Sequence, residues 1–357
     1  MDNNMVNIGK NPLIQRVSAF LQRDSFDGFT ADDLFIMQFV KKGWGQDIAA
    51  LSNMAEALMN ASKSGLIGDS EVKTLLNGVV VRALHKKVSP YRKDPRAVEN
   101  LGGYGYFLEH LNIILGCYQS VVDDEYLELN HRVTEHLLVA SMAEDNCHAP
   151  LLPNVRMRWS ADQAAIIYSI WLYDQNNGTS LAVDLRDRWL SYMDTYMRDH
   201  MTGLYRTEVM GVKRYSKQPR GCALAYLIYY SSHFAPQTAA EQWDLFKTHM
   251  LIKPVGITGF REYLPSYKGG WTPDSGPIVA GIGVGASGLA LKTAACMADI
   301  EVYDALNRSA GPIMRLLRGF MHVPLLRRLA RLGTDLLATS IKLCADTRIT
   351  STKRTTT

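Results

Sequence analysis

Five apolar segments recur along this 357-residue chain at nearly constant intervals. Each segment opens with glycine or a polar residue and is rich in small and apolar side chains on all sides, which is typical of a helix that is buried all round. They begin near Gly45, Gly102, Ser160, Pro219 and Gly276, at intervals of 57 to 59 residues. A period of this size indicates an architecture built from repeated units.

A second, amphipathic and more charged helix is expected after each apolar segment. The connecting turns are short, for example Val122–Asp124 and Asn176–Gly178. Short connections place two helices side by side and antiparallel. Each unit is therefore a hairpin of one buried inner helix and one half-exposed outer helix, and the chain is predicted to be an all-α (α/α)6 toroid.

A sixth inner helix is expected near residue 333, in the segment GTDLLATSIKLCA. Its outer partner would come from the N-terminal region, either DDLFIMQFVKK or NPLIQRVSAFLQR, so that the two ends of the chain close the ring. We therefore expect one domain over residues 1–346 and a polar, disordered tail over residues 347–357.

The charge of the chain limits the kinds of molecule that it is expected to bind. The net charge is +4, from 39 basic and 35 acidic residues, which is too balanced to indicate nucleic-acid binding. The basic, amphipathic segment 313–337 either touches a membrane surface or packs on the toroid, and packing is the favoured interpretation.

Cysteine usage and the N-terminus favour a cytoplasmic protein. The five cysteines are odd in number and scattered, which fits a reducing compartment better than a disulfide framework. The first residues lack the charged and apolar regions of a signal peptide. Neither metal-ligand spacing nor a nucleotide-binding motif occurs, so we expect no metal and no cofactor.

In a ring of hairpins the inner helices all point the same way, so their N-termini gather at one end around the axis. Their partial positive charge favours anionic groups there. The loops entering these helices carry aromatic and polar residues, the usual composition of a small-molecule site. The predicted substrate-binding residues are Trp44, Asp47, Tyr104, Tyr106, Trp159, Gln163, Arg220 and Trp271.

The predicted catalytic residues are mostly carboxylic acids. A carboxyl group enclosed by apolar walls has a raised pKa and can act as a general acid. Asp162 and Asp274 are the first candidates, although each could instead stabilise a helix start. Glu109 and His110 follow, with a buried structural histidine as the alternative for the latter. Cys147 lies beside a histidine in a long loop and is the candidate nucleophile.

Several of these motifs are shared with a known group. YFLEHLNIILGCY, RWSADQAA, PRGCALAY and DSGPIVAGIGVGASGLAL resemble segments of bacterial six-hairpin (α/α)6-barrel proteins, and most of all the linalool dehydratase/isomerase-like group, over residues 40 to 330. That resemblance implies a pocket for a small terpene alcohol, acid/base residues, and a pair of cysteines at the loop before the third inner helix. Here that loop holds Cys147, and residues 155–157 read Val-Arg-Met where a partner might lie. A pocket completed by a neighbouring subunit occurs in that family, so a homo-oligomer stays open.

Three functions follow from these observations. The first is a cofactor-independent lyase or isomerase acting on a small, largely apolar alcohol, whose leaving hydroxyl is protonated by a carboxylic acid. The second is a glycoside hydrolase, which the wider resemblance to six-hairpin glycosidases implies, with two carboxylates and aromatic sugar platforms. The third is a non-catalytic helical binding or scaffold protein. The motifs favour the first.

Overall fold

A computed structural model describes residues 11–23, 25–39, 45–216, 218–267, 269–270, 272–319 and 334–355, with the backbone alone over 312–319 and 351–355. Two predicted substrate-binding residues, Trp44 and Trp271, lie outside the described residues. So do most side chains of the basic segment 313–337.

Two concentric layers of helices form the toroid, as the repeat predicts. The inner helices are α2 (Gln46–Lys63), α4 (Gly105–Val121), α6 (Ser160–Asn177), α8 (Gly221–Phe234), α10 (Val284–Cys296) and α12 (Leu336–Thr355). The outer helices are α1 (Pro12–Leu21), α3 (Asp69–Ala83), α5 (Leu127–Met142), α7 (Ala182–Tyr192), α9 (Pro236–Met250) and α11 (Ile300–Gly319). Each inner helix packs against the inner helices before and after it, and α12 packs against both α10 and α2. The all-α (α/α)6 fold is therefore confirmed.

Short strands and turns tie together the loops between hairpins. The antiparallel pairs join β1 (Arg158–Trp159) to β2 (Glu208–Val209), β3 (Leu251–Ile252) to β4 (Gly259–Phe260), and β5 (Ile278–Val279) to β6 (Ile282–Gly283). Single 3-10 turns occur at Phe35–Gln38, Pro95–Ala97 and Pro254–Gly256, and a π-turn occurs at Met193–Met197. No helix in the described ranges combines the length and hydropathy needed to cross a bilayer.

The fifth inner helix begins later than the sequence indicates. The apolar run from Gly276 enters a tight β5–β6 hairpin, and α10 starts only at Val284. Ala280 and Gly281 form the hairpin turn with φ values of 49° and 82°, the left-handed conformation that a two-residue hairpin needs. Gly283 is the residue that precedes the helix. Asp274 is therefore not the N-cap of α10, which removes the structural alternative considered for it.

The N-terminal segment is fastened to the start of α12. The backbone N–H of Phe35 donates to the Asp335 carboxylate at 3.0 Å, and the N–H of Leu336 donates to the Asp33 carbonyl at 2.8 Å. Helix α1, from NPLIQRVSAFLQR, packs on α12. Helix α12 itself runs to Thr355, so residues 347–355 are helical where the sequence predicts a disordered tail.

A buried ion pair fills the middle of the ring. The Lys292 ammonium donates to the Glu56 carboxylate at 2.7 Å and to the Asn53 side chain at 2.8 Å. The Tyr229 hydroxyl donates to the other oxygen of Glu56 at 2.8 Å, and the ammonium lies 3.8 Å from the centre of the Tyr229 ring. Lys292 and Glu56 are almost fully buried, and their partners satisfy both charges. This group separates the end where the inner helices begin from the end where they finish.

Candidate active site

Four carboxyl groups surround one tyrosine at the end of the ring where the inner helices begin. Asp47 and Asp162 lie in the first turns of α2 and α6, and Glu109 lies one turn into α4. Asp274 comes from the loop before α10. Burial raises the pKa of Tyr106 well above its usual range, and the electrostatic influence of the four neighbouring acids adds to that rise. Four acids from different hairpins thus meet within electrostatic reach of one hydroxyl.

Glu109 and Asp162 are neighbouring buried acids, and each affects the pKa of the other. Glu109 is completely buried, and neither of its carboxyl oxygens accepts a hydrogen bond from any described donor. An ionised carboxylate in such a place would be very unfavourable, and burial together with the neighbouring Asp162 raises the Glu109 pKa well above its usual range. Glu109 is therefore protonated and can donate to Asp162.

Asp162 is held near the point of half-ionisation at neutral pH. Burial, aided by the negative charge of Asp274, raises its pKa to about 7, while the neighbouring carboxyl group of Glu109 opposes that shift. A pKa close to the working pH is the property that a general acid or base needs. Asp162 can both hold a proton and release one to a bound molecule.

Asp274 faces the same space from a more open position. The residue is exposed to solvent on one side, but neighbouring groups remove enough water from its carboxyl group to raise its pKa. The Arg220 guanidinium opposes that rise. Asp274 is therefore the most solvent-exposed of the four acids. Burial likewise raises the pKa of Asp47, whose carboxylate accepts a bond from the Ile48 N–H at 2.9 Å.

Arg220 is fixed beside Asp274 by contacts with two loops. Its Nε donates to the buried Glu262 carboxylate at 3.0 Å, and a terminal nitrogen donates to the Thr272 hydroxyl at 2.8 Å. The other oxygen of Glu262 accepts the Cys222 N–H at 3.1 Å, at the start of α8. This arrangement joins the loop holding Asp274 to α8, so Arg220 sets the position of the Asp274 loop.

His110 is the centre of a chain of hydrogen bonds beneath the carboxyl groups. The Ser52 hydroxyl donates to the Ala49 carbonyl at 3.1 Å, so it accepts from His110 Nδ1 at 2.7 Å. His110 Nε2 then accepts the Tyr226 hydroxyl at 3.2 Å, and Tyr226 in turn accepts from Tyr230 at 3.3 Å. Burial lowers the His110 pKa to about 3, which keeps the ring neutral. His110 is thus a neutral positioning group and not an acid at ordinary pH.

Some predicted residues lie away from the carboxyl cluster or are already engaged. Gln163 is buried, with its amide oxygen accepting the Ala149 N–H at 2.9 Å and its nitrogen donating to Ser141 at 3.1 Å. Tyr104 packs edge-on against Tyr91 at 4.9 Å between ring centres. Both therefore support loops. Trp159, by contrast, is half-buried at the start of α6, three residues before Asp162.

Cys147 is placed against the outer layer of helices. Burial raises the pKa of its thiol, and its charged neighbours include Asp184 and Arg188 of α7. The adjacent His148 turns inward, with its Nε2 near the Ser160 hydroxyl at 3.3 Å and the Trp189 indole N–H at 3.4 Å. The two side chains do not form a nucleophile–base pair, and a thiol with a raised pKa is a poor nucleophile. The structure does not bring Cys147 to the carboxyl cluster.

Sequence reasoning missed Ser52, Tyr226 and Glu262. His110 and Tyr226 are each the sixth residue of their inner helix, and Ser52 is the seventh of its own. Equal positions in parallel inner helices lie at similar heights in the ring, so aligning the repeats would have placed His110 level with Tyr226 and Ser52 within one residue of both. Glu262 lies in an irregular loop, and no repeat position identifies it.

Comparisons with solved structures find the same fold among carbohydrate-active enzymes. The chain is similar to an alpha-mannanase of glycoside hydrolase family 76 from Bacteroides thetaiotaomicron, solved as a selenomethionine derivative, with 14% identity, a TM-score of 0.56, and coverage of 98% of this chain and 99% of that one. A family 105 glycoside hydrolase from C. acetobutylicum ATCC 824 has 8% identity and a TM-score of 0.57, with 98% and 99% coverage. A family 76 alpha-1,6-mannanase from Salegentibacter sp. HEL1_6 has 12% identity and a TM-score of 0.52, with 85% and 89% coverage.

Sequence comparisons add nothing to this result, because neither protein-family models nor curated protein sequences match the chain. At 8–14% identity these similarities show the (α/α)6 fold. They also correct the favoured function: the matching structures are glycoside hydrolases and not dehydratases or isomerases, so the expectation of a lyase or isomerase acting on an apolar alcohol was wrong.

Proposed function

We propose that this protein is a glycoside hydrolase whose general acid is Asp162. The observation that carries the proposal is the carboxyl constellation at the inner-helix N-termini, in which one acid has a pKa of about 7 and faces a second, solvent-accessible acid, Asp274. Glycoside hydrolysis needs such a pair, one carboxylic acid to protonate the leaving oxygen and one carboxylate on the other side of the bond. The fold of family 76 and family 105 glycoside hydrolases supports the same activity.

In the proposed reaction the protonated Asp162 donates to the glycosidic oxygen as the bond to the anomeric carbon breaks. The Asp274 carboxylate either activates a water molecule or attacks that carbon, and the separation of the two groups in the substrate complex decides which. Glu109 keeps its proton and donates to the Asp162 carboxylate that forms. Trp159 and Tyr106 provide ring faces beside the acids, where a sugar can lie. The resemblance to the linalool dehydratase/isomerase-like group gives no support to this assignment.

The test is sugar release from a defined set of substrates. Purified protein is incubated with alpha-1,6-mannan, the substrate type named for one of the matching structures, and with nitrophenyl glycosides of common sugars. The products are separated by anion-exchange chromatography. We expect Asp162→Asn and Asp274→Asn each to lower kcat/KM by at least about 100-fold. The exposed Asp27→Asn variant serves as the matched control and should keep wild-type activity, because Asp27 lies in the outer loop before α2.

The pH profile gives a second measurement on the same protein. Activity should fall above pH about 7 as Asp162 loses its proton, since burial sets its pKa there. Hydrolysis that survives unchanged in both variants would remove these two acids from the mechanism. Absence of sugar release from every substrate would refute the proposed activity.

A further inference from the structure

Residues 272–276 form a tight turn that crosses the mouth of the ring, the end where the inner helices begin. The Arg220 guanidinium, at the start of α8, donates to the Thr272 hydroxyl at 2.8 Å. The Gln46 side-chain amide, at the start of α2, donates to the Pro273 carbonyl at 3.1 Å. The inner helices pack in the order α2, α4, α6, α8, α10, α12 and back to α2, so α2 and α8 are opposite each other. The 272–276 turn therefore joins opposite sides of the ring.

The 272–276 turn is also fixed to the helix that follows it. The Gly276 N–H donates to the Thr272 carbonyl at 3.1 Å and closes the turn, while the Gly285 N–H, in the first turn of α10, donates to the Ser275 carbonyl at 2.8 Å. A Cβ on Gly285 would lie only 2.7 Å from that carbonyl oxygen, so the two backbone segments are in direct contact. The turn is thus a packed wall beside the carboxyl cluster.

A second connection between α2 and α8 lies deeper in the ring. It is the chain of hydrogen bonds from Ser52 through His110 to Tyr226, which we call the floor. Ser52 and Tyr226 each lie six residues beyond the residue that holds the turn on the same helix, so the floor is about 9 Å below the turn at 1.5 Å per residue. Asp162, the third residue of α6, lies about 5 Å above the floor by the same measure.

The carboxyl cluster therefore lies above a floor and beside a wall. The Tyr106 ring packs edge-on against His110 at 4.9 Å between ring centres, so the α4 side continues upwards from the floor. The 272–276 turn stands on the side of α10 and α12, and Asp274 at its centre is exposed to solvent. A sugar beside Asp162 would have the floor beneath it, and a chain crossing towards α10 would collide with the turn.

A turn that only braces the ring is the competing explanation. It accounts for the hydrogen bonds that tie α2 to α8, but not for the position of Asp274, the exposed acid of the cluster, on that turn. It also leaves the buried Glu109 carboxyl group without a described donor to its oxygens. The hydroxyl groups of a bound sugar would supply such donors.

We propose that the enzyme removes single sugars from the non-reducing end of a chain, because the floor and the 272–276 turn leave room for one ring beyond the bond that breaks. This inference rests on the hydrolase activity proposed above. The bond between the anomeric carbon and the glycosidic oxygen breaks, and that oxygen takes the proton of Asp162. Water adds its hydroxyl to the anomeric carbon and returns its other proton to the acids. The rest of the chain is the leaving group and extends into solvent.

The experiment is a time course of hydrolysis with two tetrasaccharides. They are alpha-1,6-mannotetraose and the same compound with its non-reducing end blocked by a benzylidene group, or the matching pair for whichever nitrophenyl glycoside is hydrolysed. Products are separated by anion-exchange chromatography. We expect free sugar and trisaccharide as the first products of the open compound. The blocked compound should be cleaved at least about 100-fold more slowly, because its end group clashes with the floor or the turn.

Two variants loosen the turn independently. Gln46→Leu and Thr272→Val each remove a hydrogen bond that holds the turn across the mouth, and each should raise the ratio of disaccharide to free sugar among the first products about tenfold. Gln237→Leu, at an exposed glutamine of the outer helix α9, should give the products of the wild type. Thermal melting shows whether each variant is folded.

The outcomes separate this inference from the activity on which it rests. Disaccharide as a first product of the wild type, or equal cleavage of the blocked and open compounds, would overturn the inference and leave the hydrolase activity in place. A product ratio that Gln46→Leu and Thr272→Val both leave unchanged would also overturn it, because the turn would then not limit the substrate. Sugar release from none of the substrates would refute the proposed activity and this inference together.

Discussion

Asp162→Asn should stabilise the protein at neutral and alkaline pH while it removes the proposed acid. Asp162 titrates near 3.9 in an unfolded chain and at about 7 in the folded one. Between these values the unfolded state loses its proton first, so the free energy of unfolding falls as the pH rises from about 4 to about 7 and stays lowered above that. Three pKa units correspond to about 4 kcal/mol, an upper figure because Asp162 is partly exposed.

Asparagine keeps the shape of the side chain and an oxygen that accepts from Glu109, but it never ionises. Urea unfolding of the wild type and Asp162→Asn at pH 4.5, 6 and 8 measures the difference. The variant should gain little at pH 4.5 and up to about 4 kcal/mol at pH 8. Asp27→Asn, at an exposed aspartate, should follow the wild type at all three pH values. A variant that is less stable than the wild type at pH 8 would refute the view that burial disfavours the Asp162 charge.

Three further outcomes follow from contacts in the ring. Tyr226→Phe removes the hydroxyl that donates to His110 Nε2, and should lower the free energy of unfolding in urea by about 1–3 kcal/mol. An unchanged free energy of unfolding would show that this nitrogen has another partner. Lys292→Met leaves the buried Glu56 carboxylate without its cation and should lower the free energy of unfolding by about 3–5 kcal/mol. Adding Glu56→Gln should recover much of that loss. A double variant no more stable than Lys292→Met would contradict the pairing. Gly45→Ala should destabilise the start of α2 and lower the melting temperature. A Cβ at this position would collide with the Tyr106 ring, and the backbone φ of +82° is unfavourable for alanine. An unchanged melting temperature would show that neither effect is important for the helix start.

The fold can be predicted from the sequence because every repeat buries its inner helix, and this leaves the same apolar pattern in each repeat. Helix α6 begins at Ser160, as its pattern indicates, and the expected turns follow α4, α6 and α8. The pattern fails at Gly276, where Ile278 and Val279 are as apolar as a helix core but pair with Ile282 and Gly283 instead. Apolar character alone does not distinguish a buried strand from a buried helix over so few residues. The left-handed turn at residues 280–281 decides between them.

The candidate site is harder to predict, because it depends on contacts between hairpins. Asp162 and Glu109 could be selected from their places near helix starts, and the structure brings them together. The sequence does not show whether the Gln163 side chain points towards the axis of the ring or towards a neighbouring loop. In the structure its amide accepts from the Ala149 N–H and donates to the Ser141 hydroxyl. Cys147 was selected for its reactivity, but a left-handed backbone with φ of 55° and the packing of α7 place it elsewhere. Neither the backbone conformation at Cys147 nor its packing against α7 can be predicted from the neighbouring residues in the sequence.

Two opposing effects decide whether Asp162 is protonated at neutral pH. The helix dipole favours the ionised carboxylate, and burial favours the protonated acid. A first-turn position favours the ionised form through the helix dipole, typically by about 0.3–1 kcal/mol and at most by about 2 kcal/mol. Burial and the charge of Asp274 oppose ionisation and leave a net shift of about three pKa units, close to 4 kcal/mol. The unfavourable effect of burial on the ionised form therefore exceeds the favourable effects of the helix dipole and of the neighbouring Glu109 carboxyl group. The enclosure produced by neighbouring inner helices, and not the helix start itself, makes Asp162 an acid at neutral pH. An isolated α6 peptide would consequently show an ordinary aspartate pKa.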